Sequence, residues 1–221
     1  MVAEDLGIPV EEVTAVQMNT DGGAYDSGAG SGSSVGGTNA ALRAAQGVRR
    51  KLTLMAAEFY GWPEETIQFQ RGRVFVEGDP ENGVSLQELA SRTVNAIGET
   101  ISADVSTTAE EPDVTCFSAQ VAEVEVDPET GNVKLKKFVT AHDVGTIHNP
   151  ITHQGQIDGA VVQGFGYALM EELLADEGQI STLSMGDVKS PTIEDIPKLE
   201  TILVESQGGN GPYGSKAIGE Q

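Results

Sequence analysis

The stretch HDVGTIHNPITHQGQIDGAVVQGFGYALMEEL, residues 142–173, decides how the chain folds. Its opening, HDVGTIHNP, reads as a loop. Beyond Asn149, Ile157, Val161, Phe165, Ala168 and Leu169 mark a long helix starting after Pro150 and running to about Glu172. Gly155, Gly159, Gly164 and Gly166 interrupt that helix. Each costs roughly 1 kcal/mol relative to alanine. A helix that tolerates this cost is bringing its backbone close to something. Gln154, Gln156 and Gln163 sit among these small residues. A glutamine amide both donates and accepts, which suits the edge of a heterocycle or a phosphate. His142, His148 and His153 lie in the same stretch, with Asp143 adjacent. Their spacing does not match a zinc-binding helix, so they read as solvated or structural.

Upstream, NTDGGAYDSGAGSGSSVGGTNA (residues 19–40) has the composition of a linker. It runs directly into a second long helix. Ala41, Leu42, Ala45, Val48, Leu52, Met55 and Phe59 recur every three or four residues and form one apolar stripe, ending at Gly61 before Pro63. Within the linker, GAGSGSS (28–34) lies just before that helix. Glycine-freed backbone amides and the hydroxyls of Ser31, Ser33 and Ser34 form an anion site that needs no cation. The loop lacks the Gly-Lys-Ser/Thr of a P-loop, and Ser33 stands where a dinucleotide fingerprint has its third glycine. A plain flexible linker is the other reading. Asp21 and Asp26 nearby weigh against an anion.

The remaining elements are shorter. Val2–Leu6 reads as a helix and residues 12–18 as a strand. A hairpin spans 66–77 around Arg71-Gly72, and Ser85 caps a helix through Ala96 with Glu88 at the capping-box spacing. Residues 101–107 read as a strand. A second hairpin pairs 122–126 with 133–140 through DPETGN, and its strict alternation predicts one buried and one wet face. Short strands are expected at 179–182 and 201–205. Helices and antiparallel hairpins without a βαβ repeat define an α+β fold: two long helices packed on small sheets.

Composition bounds the function. Lys and Arg total 13 against 34 Asp and Glu, a net charge of −21, which argues against broad contact with nucleic acid or an anionic membrane surface. One cysteine, Cys116, precludes an intrachain disulfide and a cysteine-ligated iron–sulfur cluster within this chain. No apolar run is long enough to span a membrane. MVAEDLGIPVEE lacks the basic and apolar regions of a signal peptide, so a cytoplasmic location is expected. The stretch GPYGSKAIGEQ, 211–221, presents Lys216 and then Glu220 from a glycine-rich turn, or else is a frayed acidic tail.

Together these segments resemble the molybdenum-binding subunit of the molybdenum hydroxylases, the xanthine dehydrogenase and aldehyde oxidase family. YDSGAGSGSSVGGTNAALRAA is similar to the family's cofactor loop and following helix. The 142–173 stretch resembles its DVG…NP…GQ-x-x-G…QG-x-G-x-A-L-x-E-E segment, DVKSPTIEDIP its Y-K-x-P-T…D-x-P segment, and GPYGSKAIGEQ its G-x-K-x-x-G-E segment. Val188 replaces the usual tyrosine, and Gly32 stands between two serines where many members have arginine.

The resemblance implies the C-terminal part of a molybdopterin-binding region, with subdomains at 1–112 and 113–221. It implies molybdenum held through molybdopterin, in the cytosine dinucleotide form usual in bacteria, with no protein metal ligand. An N-heterocycle such as a xanthine-like compound, or an aldehyde, would be hydroxylated with oxygen from water. Glu220 would be the general base, with Gly219 leaving room beside it. Gly155, Gln156 and the loop of Gly28, Gly30, Ser31, Gly32, Ser33 and Ser34 would hold the cofactor, and Lys216 would support its own loop. The lone cysteine places the Fe-S clusters and FAD on partner domains or subunits, with the remaining part of the molybdenum subunit as a further partner. Carbon monoxide dehydrogenase-type or aromatic-CoA reductase-type chemistry, and a non-catalytic domain inactive in isolation, are the alternatives.

Overall fold

A computed structural model describes residues 1–16, 28–105 and 114–220. They form two compact units, 1–111 and 112–221. In the first, α1 (Val2–Leu6) precedes α2 (Thr38–Tyr60), β1 (Ile67–Gln70), β2 (Arg73–Val76), β3 (Val84–Ser85) and α3 (Leu86–Ile97). The apolar stripe of α2 buries Ala45, Leu52 and Ala56. Leu52 and Ala56 join Ile67, Phe69, Val74 and Leu89 in one core. The β1–β2 hairpin pairs Ile67 with Val76 and Gln70 with Arg73, turning at Arg71-Gly72 as the sequence implies. The Ser85 hydroxyl accepts from the Glu88 amide at 3.1 Å, which caps α3. Gly61 ends α2 in the left-handed conformation.

Two expected strands are absent here. Val10–Glu12 is a single 3₁₀ turn and residues 13–16 carry no regular structure. The segment pairs with no described strand; residues 17 and 18 lie outside the described set. Residues 101–105 are also irregular, because the segment is tied to a helix instead of to a strand; residues 106 and 107 of the expected strand lie outside the described residues. The Lys51 ammonium donates to the Ser102 carbonyl at 2.5 Å, and Ala103 lies beside Gly47.

The second unit is built on a three-stranded sheet, in order β4 (Ser118–Val126), β5 (Val133–Gly145) and β8 (Lys198–Glu205). Strands β4 and β5 form the expected hairpin, with Val126 opposite Val133 and Ser118 opposite His142. Its turn is set by Asp127, whose carboxylate accepts from the Thr130 hydroxyl at 2.7 Å and the Glu129 amide at 2.9 Å. Those bonds, the Thr130 one foremost, hold its pKa below the ordinary value.

Three features depart from the sequence reading. His142–Gly145 is the end of β5, not a loop. Its backbone finds partners on both sides, β4 and a parallel β8, whose register runs from Lys137–Lys198 to Asp143–Val204. Strand β4 is exposed along its whole length, so its alternation does not give a covered face within the described residues. The long helix, α4 (Pro150–Leu169), stops short of Glu172, because the Met170 and Glu171 amides both return to the Gly166 carbonyl. Between α4 and β8 lie the small hairpin β6–β7 (Ala175–Asp176, Gln179–Ile180) and α5 (Met185–Val188). Helix α4 occupies the β5-to-β8 crossover and packs on β8, burying His153 and Ile157. The Asn149 side chain accepts from the Ile151 and Thr152 amides, and Pro150 supplies the first helical residue. Among the described residues, no helix is long and apolar enough to cross a membrane.

Candidate functional site

In the first unit the glycine–serine loop has defined geometry from Gly28 onward. Gly28, Gly30 and Ser31 take positive φ of 64°, 61° and 60°, which folds the chain into a tight turn. The Ser31 carbonyl accepts from both the Ser34 and Val35 amides at 2.9 Å. Ser33–Gly37 then forms one turn of π-helix that feeds α2, where the Thr38 hydroxyl donates to the Ser34 carbonyl. Single π turns recur at functional sites. Gly28, Ser33 and Ser34 are exposed and Ser31 and Gly32 half-buried, so the turn presents hydroxyls and glycine backbone to its surroundings. Asp21 and Asp26 lie outside the described residues.

In the second unit, the segment 209–220 is threaded against the end of β5. Ser215 bridges Gly145; the Lys216 amide donates to the Val144 carbonyl at 3.1 Å and the Thr146 amide to the Gly214 carbonyl at 3.2 Å. The approach is so close that a Cβ on Gly145, where φ is +64°, would stand 2.2 Å from the Gly214 oxygen. Only glycine is compatible with that contact. The Thr146 hydroxyl donates to the Tyr213 carbonyl at 2.6 Å, and His148 Nε2 lies 2.9 Å from the Pro212 carbonyl.

Beneath this segment lies a buried ion pair. Lys216 Nζ is 2.6 Å from Asp143 Oδ2, with the side chains 7% and 15% exposed. Lys216 also donates to the Thr115 carbonyl at 3.2 Å, and the Ser206 hydroxyl donates to Asp143 Oδ1 at 2.5 Å. The Lys216 bond, then the Ser206 bond, hold the Asp143 carboxyl below its ordinary pKa. Cys116 Sγ lies 3.5 Å from the Ala217 carbonyl.

From this anchor the chain reaches α4. Gly219, at φ +85°, sits so that a Cβ would lie 3.2 Å from the Gln156 carbonyl oxygen. Glu220 follows it and is exposed, as are Gly155 and Gln156. No atom outside the helix backbone lies within 4 Å of where Cβ atoms on Gly155 or Gly159 would be. The second unit thus brings Gly219 to Gln156, while the first unit holds Gly28, Gly30, Ser31, Gly32, Ser33 and Ser34 in one turn. The three histidines do not converge. His142 bonds Thr140 at 2.7 Å, His148 faces Pro212, and His153 Nδ1 lies 2.9 Å from the Asn149 carbonyl. Among the described residues, no group of three or more His, Cys, Asp or Glu is placed to hold a metal ion. The Asp143–Lys216 pair was not singled out from the sequence. The only signal was an aspartate and a lysine in separate segments that are otherwise glycine-rich.

The turn in the first unit offers hydroxyls and bare glycine backbone, which suit an anionic group. The second unit offers a glutamine amide and one exposed carboxylate, which suit the edge of a polar heterocycle. Residues 1–197 match the family of molybdopterin cofactor-binding domains, and the chain belongs to that family, among the molybdenum hydroxylases. It is 34% identical over its whole length to the nicotine 6-hydroxylase large subunit of Paenarthrobacter nicotinovorans, covering 28% of that protein. It is 29% identical to the carbon monoxide dehydrogenase large chain of Afipia carboxidovorans, again covering 28%. The crystal structure of quinoline 2-oxidoreductase from Pseudomonas putida 86 superposes on 99% of the chain with a TM-score of 0.85 at 29% identity, over 29% of its own length. The chain therefore spans less than a third of these relatives.

Proposed function

We propose that this chain is the part of a molybdenum-dependent hydroxylase that cradles molybdopterin and supplies the catalytic base. The observation that carries the proposal is the placement of Gly219, the residue before Glu220, against Gln156 in a chain of this family. Gly155 and Gln156 would contact the pterin, with the Gln156 amide donating to and accepting from the ring edge. The turn of Gly28, Gly30, Ser31, Gly32, Ser33 and Ser34 would receive the cofactor's phosphate, and the pyrophosphate if the form is a cytosine dinucleotide. Its donors are neutral, which suits an acidic chain.

When bound, the molybdenum cofactor supplies a water-derived oxygen nucleophile and takes up the electrons removed from the substrate carbon. Glu220 acts at its carboxylate oxygens as general base, accepting the proton of that nucleophile. Gly219 carries no side chain that would crowd the base. Substrates are N-heterocycles before aldehydes, since nicotine 6-hydroxylase and quinoline 2-oxidoreductase are named for N-heterocyclic compounds. Electrons leave through Fe-S and FAD partner subunits, because one cysteine cannot hold a cluster. Turnover needs the remaining part of the molybdenum subunit, and the assembly is cytoplasmic.

The test is co-expression with the neighbouring reading frames, followed by mass spectrometry for molybdenum and cytosine nucleotide. Stoichiometric molybdenum is expected; its absence in a fully assembled complex refutes the proposal. Glu220→Gln retains molybdenum and loses about 10²- to 10⁴-fold in turnover, the usual range for a general base.

A further inference from the structure

The distances around Lys216 bear on how Glu220 is held. Three residues separate Lys216 from Glu220, and a chain extends at most about 3.6 Å per residue, so Lys216 anchors Glu220 on a short tether. Glu220 is itself exposed. The segment that carries it is punctuated by Gly209, Gly211, Gly214 and Gly219, and beside the buried Pro212 its buried side chains are the polar Ser215 and Lys216. A backbone bridge at Gly145–Ser215 sets its pairing. The ion pair adds a lock, because Lys216 Nζ reaches through to Asp143 on β5 and to the Thr115 carbonyl. Ser206, just beyond β8, in turn fixes Asp143. A lysine withdrawn from water to this degree is stable only when its partners are all in place. One slip of the segment would leave two buried charges unmatched.

We propose that Asp143 and Lys216 are positioning residues for the reaction: their buried pair sets the register of segment 209–220 and so holds Gly219-Glu220 at Gln156. This rests on the reading of Glu220 as the base, but the holding action itself can be measured separately. Three variants of the assembled enzyme test it. The double variant Asp143→Asn/Lys216→Met removes the pair without leaving a lone buried charge, Lys216→Arg keeps the charge, and Glu220→Gln removes the base. The readouts are amide exchange across 217–220 by mass spectrometry, molybdenum content, and steady-state kinetics.

In the double variant, amides of 217–220 exchange about tenfold faster while those of α2 do not change, since opening is local. Molybdenum per chain is retained. The kcat falls roughly a hundredfold, the scale expected for a misplaced catalytic group, with KM nearly constant. Lys216→Arg recovers most of that kcat. Unchanged exchange at 217–220 overturns the proposal, as does faster exchange with normal kcat while Glu220→Gln is inactive. If Glu220→Gln turns over normally, the base reading fails and the exchange result alone decides the positioning role. If the double variant does not assemble, Ser206→Ala replaces it. That change removes one neutral donor to Asp143, and it should raise exchange at 217–220 about threefold, in keeping with the loss of one hydrogen bond; no change overturns the proposal.

Discussion

In the first unit the buried residues are mostly apolar: Leu52, Ala56, Ile67, Phe69, Val74 and Leu89 close over one another. In the second, Val144 and Ile157 are joined by Thr140, His142, His153, Ser215 and Lys216, all buried, and the whole of β4 is exposed. One unit is held by area removed from water. The other is held by specific polar contacts around the end of β5. Apolar packing tolerates small shifts, whereas a hydrogen bond or ion pair is lost within an ångström. The unit that carries Glu220 is the one whose geometry is fixed by directional contacts, in keeping with the positioning role proposed above.

Substitutions can break this comparison. Gly145→Val should be the most damaging, at about 4 kcal/mol, because a buried backbone contact and a positive φ are violated together. Amide exchange should show protection lost around 142–148 and 209–217 while α2 and α3 keep theirs; equal loss in both units would contradict the distinction. Leu89→Ala, fully buried in the first core, should cost about 3 kcal/mol in urea unfolding and leave the exchange of 214–220 unaltered.

The third test uses acid. Asp143 has a lowered pKa in the folded chain, so its stabilising contribution is complete above its ordinary value of 3.8 and is lost as pH falls through the lower folded value. Exchange at 214–220 should therefore accelerate below that pH, and Asp143→Asn should be already loosened and insensitive there. The smallest effect belongs to Val124→Ala on the exposed β4: within about 0.5 kcal/mol, as for surface positions generally. A larger loss by urea unfolding would mean that β4 is covered after all.

The same contrast explains what the sequence revealed. Helix α2, the two hairpins and the Ser85 cap were readable because each is specified by neighbours a few residues apart. The expected strands at 12–18 and 101–107 carried a local pattern, but the described parts have no strand beside them, and pattern alone does not supply a partner. Strand β5 runs five residues past the expected end at Thr140, because His142-Asp143-Val144-Gly145 looks like a turn; its strand character comes from β8, more than fifty residues later. The roles proposed for Glu220, Gly219 and Gln156 come from resemblance to the family, not from any local pattern. Asp143 was seen only as a neighbour of a histidine, since an ion pair across 73 residues leaves no periodic trace.

Strand β4 has a practical consequence. It is a nine-residue outer strand, one edge unpaired among the described residues, with Val121, Val124 and Val126 open to solvent. Such an edge is a template for pairing with another copy. Glu123, Glu125 and the register shift between Glu123 and Val124 oppose stacking, and a net charge of −21 keeps molecules apart. That protection is electrostatic and therefore has a range. The Debye length falls from about 10 Å at 0.1 M salt to about 3 Å at 1 M. The isolated polypeptide should stay dispersed in dilute buffer and associate through β4 in concentrated salt, making its colloidal behaviour a readout of whether that edge is occupied.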